Sequence, residues 1–68
     1  MQLVINGEAQ VLPGVATVSD LVERLELTGR IAVEVNERIV PRGEFATHPL
    51  REGDRIEIVH AIGGGNGS

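Results

Sequence analysis

Met1, Leu3 and Ile5 alternate with Gln2 and Val4, the period of two that marks a strand with one buried face. Asn6-Gly7 follows, and it predicts a two-residue hairpin turn because both residues tolerate positive φ. Ala9 to Leu12 reads as the returning strand, stopped by Pro13-Gly14. The period then changes. Val18, Leu21, Val22 and Leu25 fall at i, i+3, i+4 and i+7, one apolar stripe of an α-helix. Thr17 stands at the N-cap with Asp20 as an acidic first-turn partner, and Gly29 predicts the C-terminal stop after Leu27-Thr28. An amphipathic helix can serve a partner instead, but a short chain needs this stripe for its own core.

Ile31 to Val35 predicts a third strand, and Asn36-Glu37 turns it into a short Arg38-Ile39-Val40 segment ended by Pro41. Residues 43–49 read as a loop or a single helical turn, with Leu50 as a buried anchor. Glu52-Gly53-Asp54 makes another turn. Arg55 to His60 then alternates, with Ile56 and Ile58 inward. The order is β-β-α-β-(short β)-β, an α+β arrangement. A first hairpin, one main helix packed across the sheet and a last strand returning beside the first make a β-grasp roll with a mixed sheet of four or five strands. The last strand is expected in the centre, parallel to the first. Residues 1–62 form the one expected domain. Residues 63–68, Gly-Gly-Gly-Asn-Gly-Ser, have no side chain suited to packing and read as a flexible glycine-rich tail.

Composition narrows the function more than the fold. A chain of 68 residues with 41% apolar content supports one small core. Cysteine is absent, which excludes a disulfide framework, a thiolate metal site and a side-chain persulfide. Lysine is absent as well, which excludes Schiff-base and P-loop lysine chemistry. A net charge of −4 with scattered arginines, and Phe45 as the sole aromatic residue, argue against nucleic-acid binding. No apolar run is long enough for a membrane span, and no signal-peptide pattern opens the chain. A cytoplasmic protein, monomeric when free, is expected.

No catalytic constellation stands out. The carboxylates have no evident site, and a domain this small is expected to leave little room for a cleft. Glu52 and Asp54, on either side of a turn glycine, are expected to be solvated. His48 and His60 lack the spacing and companions of a metal site, so both read as surface residues and no metal is expected. Thr17, Ser19 and Thr28 suit caps and turns. The terminal glycines remain. Without Cβ atoms they pass as a thread through a narrow channel, and a carboxylate at the end of such a thread can be activated as an acyl-adenylate. A plain linker or an unused chain end accounts for the same residues.

Asn6-Gly7-Glu8, Thr17-Val18 with Leu21-Val22, Val33 to Asn36, Ile39 to Arg42, Glu52-Gly53-Asp54 and Ile62-Gly63-Gly64-Gly65 together resemble the ThiS family, the bacterial sulfur carriers of thiamine biosynthesis. The resemblance covers residues 1–65 and implies a ubiquitin-like β-grasp fold. It implies that the carrier catalyses nothing and binds no cofactor. A ThiF-type, E1-like adenylyltransferase would adenylate the Gly65 carboxylate with ATP and magnesium. Sulfur from a cysteine desulfurase or a rhodanese-type donor would then give a thiocarboxylate, which a ThiG-type thiazole synthase would consume. Gly63 and Gly64 would keep the tail slim inside these partners, and Ile62 would make an apolar contact. The chain departs from the family in continuing through Asn66-Gly67-Ser68, residues added for expression, removed by a protease, or part of a variant terminus. Carriers for molybdopterin, cysteine or tRNA thiolation, and a non-covalent ubiquitin-like binding module, are the competing readings.

Overall fold

Two hairpins, one short helix and a single last strand make up the regular structure of the computed structural model, in which residues 1–60 are described. Strands β1 (Gln2–Ile5) and β2 (Glu8–Val11) form the first hairpin. Helix α1 (Val18–Arg24) crosses to β3 (Ile31–Val35) and β4 (Arg38–Val40), the second hairpin. A single 3-10 turn, Arg42–Glu44, lies in the segment leading to β5 (Arg55–His60). The sheet order is β2-β1-β5-β3-β4. The last strand is central, parallel to β1 and antiparallel to β3, as the element order predicts.

Both turns use the left-handed region. Asn6 and Gly7 have φ of 50° and 86°, and Asn36 and Glu37 have φ of 51° and 70°. Positive φ at both central positions is the type I′ geometry whose twist matches a hairpin. Thr17 and Asp20 form a full capping box: the Asp20 N–H donates to Thr17 Oγ1 at 3.2 Å, and the Thr17 N–H donates to Asp20 Oδ2 at 3.1 Å. The Ala16 and Thr17 amides hold the Asp20 carboxyl below its ordinary pKa. The next free amides of the helix are satisfied from the long loop, with Val18 N–H donating to the His48 carbonyl and Ser19 N–H to that of Phe45.

The helix ends earlier than Gly29 predicts. Its last residue is Arg24, and Glu26 takes φ of 56°. The Leu27 N–H reaches the Val22 carbonyl at 3.0 Å and the Glu26 N–H reaches that of Glu23 at 3.0 Å. These two bonds are a Schellman closure, built here on glutamate where glycine is the usual choice. Gly29, at φ of 80°, turns the chain into β3 instead. Glu26→Gly removes the left-handed strain of a side-chain-bearing residue. The substitution is expected to raise stability by about 0.5–1 kcal/mol net of glycine's greater chain entropy, moving Tm by about 4–8 °C per kcal/mol in a calorimetric melt.

Among the described residues the core comprises Leu3, Ile5, Leu12, Val15, Val18, Leu21, Val33, Val35, Val40, Phe45, Leu50 and Ile56. Leu50 anchors the loop as expected. Phe45 belongs to this core, where the sequence reading gave it no place. Ile58 is only half-buried, less inward than its alternation predicts, because it lies beyond the point where β1 ends. The opposite sheet face stays open among the described residues, with Val11, Ile39 and Val59 exposed at 60% or more.

Candidate functional site

Everything in the fold that bears on the glycine run converges on β5. Along β3 the pairing is continuous from Val35↔Ile56 to Ile31↔His60. Along β1 it is brief, covering Val4↔Arg55 and Ile5↔Ile56, after which β1 turns away at Asn6. The Asn6 N–H still donates to the Ile56 carbonyl at 2.9 Å. From there the Asn6 carboxamide replaces the missing strand. Its Oδ1 accepts from the Ile58 N–H at 2.9 Å, and its Nδ2 donates to the Ile58 carbonyl at 3.3 Å.

Asn36 does the same at the other end of β5. Its N–H donates to the Arg55 carbonyl at 2.7 Å and its Oδ1 accepts from the Arg55 N–H at 3.0 Å. Its Nδ2 donates to Asp54 Oδ1 at 3.0 Å. The two hairpin asparagines thus grip the central strand, Asn36 at its first residue and Asn6 towards its end. Sequence reasoning took both only as turn formers.

Glu52 and Asp54 are engaged rather than merely solvated. The Gln2 N–H donates to both Glu52 oxygens at 3.1 Å, and the Arg51 N–H donates to Asp54 Oδ2 at 2.8 Å. The Glu52 bonds tie the turn before β5 to β1, and the Asp54 bond closes the turn itself. A cleft is also present despite the chain's small size: about 570 Å³, between the β3–β4 turn and the 48–54 segment, with Arg38, His48, Arg51 and Asp54 on its walls. It lies beside the first residues of β5, at the far end from His60. Its walls bring no two carboxylates together, so no acid–base pair is assembled there.

His48 is half-buried in that cleft and His60 is exposed, opposite Ile31, at the end of β5. No group of three metal-ligating side chains occurs among the described residues. No described helix is long and apolar enough to cross a membrane. Ile62, Gly63, Gly64 and Gly65, the residues expected to carry the chemistry, lie outside the described residues, as does the boundary expected at residue 62. What the structure does describe is the strand that leads to them.

A five-stranded mixed sheet with one helix across it and the last strand in the centre defines a ubiquitin-like β-grasp domain. The ThiS family model matches residues 3–65, and the chain belongs to the ThiS family. It is 35% identical over 66 residues to the sulfur carrier protein ThiS of Escherichia coli, covering 96% of this chain and 100% of that one. It is 43% identical over 67 residues to a thiazole synthase of Paramagnetospirillum magneticum, covering 97% of this chain but only 21% of that protein's length. The crystal structure of the thiamine biosynthesis protein ThiS from Geobacter metallireducens superposes with a TM-score of 0.82 at 28% identity, covering 96% of this chain and 100% of that one.

Proposed function

We propose that this chain, in a form that ends at Gly65, works by carrying sulfur on the carboxylate of that glycine and delivering it to a thiazole synthase for thiamine biosynthesis. As a member of the ThiS family it is a sulfur carrier, handled by enzymes and not itself one. The observation that carries the finer reading is the reach of the family match, from the buried Leu3 through the third tail glycine. A chain with no cysteine holds no side-chain persulfide, so the sulfur rides on a terminal carbonyl. A thiazole synthase partner is supported by the matched Paramagnetospirillum protein, about a fifth of which aligns with nearly all of this chain.

The chemistry follows from a carboxylate being a poor acceptor of nucleophiles. A ThiF-type, E1-like adenylyltransferase using ATP and magnesium joins the Gly65 carboxylate to the α-phosphorus and releases pyrophosphate. The persulfide of a cysteine desulfurase or rhodanese-type donor then attacks the acyl carbon, and AMP leaves. A thiol cleaves the resulting acyl disulfide, releasing the donor as a mixed disulfide and leaving the thiocarboxylate on Gly65. Gly63 and Gly64 keep the thread free of Cβ atoms, and Ile62 supplies an apolar contact where the thread begins. The domain works in the cytoplasm alongside these enzymes.

Intact mass spectrometry tests this directly. A chain ending at Gly65, incubated with ATP, magnesium, a ThiF-type enzyme and a persulfide donor, is expected to gain the mass difference between sulfur and oxygen. The full chain ending at Ser68 is expected to stay unmodified, because its terminal carboxylate belongs to the wrong residue. No adenylate and no thiocarboxylate on the Gly65 chain overturns the proposal.

A further inference from the structure

We propose that Asn6 is a positioning residue for the carrier reaction: its carboxamide, by replacing β1 along the last residues of β5, sets the direction in which the chain leaves the domain towards Gly65. This rests on the carrier reading above. β1 makes its last pairing with β5 at Ile5↔Ile56, whereas β5 continues to His60. On the β3 side the backbone ladder reaches the end of the strand. On the β1 side the bonds to Ile58 come from one side chain, with Oδ1 accepting from its N–H and Nδ2 donating to its carbonyl. Held on both edges, the strand keeps its plane to its last residues. Held on one edge, its end is free to twist away from the sheet.

The reacting carboxylate follows β5 in the chain, so the last residues of the strand are where the domain hands the chain on towards Gly65. A misplacement on the order of 1 Å at a reacting group lowers a rate by roughly a hundredfold. Asn36, which grips the same strand at Arg55, supplies the internal comparison because it acts at the opposite end. A general loosening of β5 follows from loss of either asparagine. Loss of direction at the exit follows from Asn6 alone.

Glycine separates turn from grip. Asn6→Gly retains a residue suited to φ of 50°, since Gly-Gly is an accepted type I′ pair, and deletes only the carboxamide. Asn36→Gly likewise keeps a residue suited to φ of 51° and removes that carboxamide's bonds to Arg55 and Asp54. All chains end at Gly65, which leaves the described fold untouched. The readouts are amide exchange at Ile58 and steady-state pyrophosphate release with ATP, magnesium and a ThiF-type enzyme.

Asn6→Gly is expected to speed exchange of the Ile58 amide by about tenfold or more, and to lower kcat for adenylation by at least about tenfold while KM for the carrier stays within about twofold. Asn36→Gly is expected to leave kcat unchanged. Equal kcat for Asn6→Gly and the parent, or an equal loss in Asn36→Gly, overturns the positioning role. A parent that releases no pyrophosphate overturns the carrier reading and this role with it. If Asn6→Gly loses exchange protection at Leu21, and with it the core, Asn6→Asp decides by the same two readouts. It keeps the Oδ1 acceptor but sets an oxygen against the Ile58 carbonyl, and an undiminished kcat there overturns the proposal.

Discussion

Leu21→Ala is expected to leave the domain largely unfolded at 37 °C, with no cooperative thermal transition above that temperature. Leu21 is fully buried on the helix face that meets the sheet, among the largest side chains with no exposed surface. Truncating such a leucine costs about 2–5 kcal/mol, through lost transfer free energy and the cavity left behind. A core this size supplies only about 3–5 kcal/mol of net stability. One substitution therefore consumes most of the margin. Ile58→Ala is the matched comparison. Ile58 is half-buried against the rim of the core, so it leaves less of a cavity and is expected to cost about 1–2 kcal/mol. Urea titrations are expected to show a clear midpoint for Ile58→Ala and a lost or much lower one for Leu21→Ala. If they coincide, the helix face is not the centre of the core.

That contrast between Leu21 and Ile58 shows where a sequence pattern stops being informative. Alternation across Arg55–His60 correctly sets Ile56 and Ile58 on one face. How deeply each is buried depends on where the neighbouring strand ends, and that length is written elsewhere in the chain, in the Asn6-Gly7 turn. The same turn was legible as a hairpin because φ preference is local to two residues. The grip of Asn6 on Ile58 was not, because it joins residues 52 apart and requires the register of a parallel pairing to be known first. The helix start was readable from Thr17 and Asp20, whose bonds span three residues. Its end was not, since nothing in a glutamate announces a left-handed residue when a glycine stands three positions later.

Topology was the most legible feature, for a physical reason. The last alternating run has to bury one face and pair both edges, and only the centre of the sheet, beside β1, does both. The cleft beside Arg38 and Arg51 was missed because it is walled by a turn and a loop far apart in sequence, with no periodicity to mark it. From composition the tail reads only as a run of glycines after the last strand, in a chain without cysteine or lysine; the chemistry expected of it comes from the family resemblance.

Ending the chain at Ile62 is expected to separate fold from function completely. Every residue of the described core lies between Leu3 and Ile56, and the described hydrogen bonds that grip β5 join residues within 1–60. Thermal melts of the Ile62-terminated chain and a chain ending at Gly65 are therefore expected to agree within about 2 °C, since no contact among the described residues is removed. Adenylation by a ThiF-type enzyme is expected to vanish, not merely to slow, because the carboxylate moves by three residues, up to about 10 Å of extended chain. A binding module that uses only its sheet face predicts the reverse functional outcome: partner affinity unchanged by the truncation. A carrier whose affinity resides in the domain and whose chemistry resides at the tip predicts a third pattern, in which the truncated chain still competes with the Gly65 chain for the enzyme while releasing no pyrophosphate itself. Competition without turnover distinguishes grip from delivery. It is the outcome expected of a domain that presents its last strand at the centre of the sheet and leaves the reacting atom to the residues beyond it.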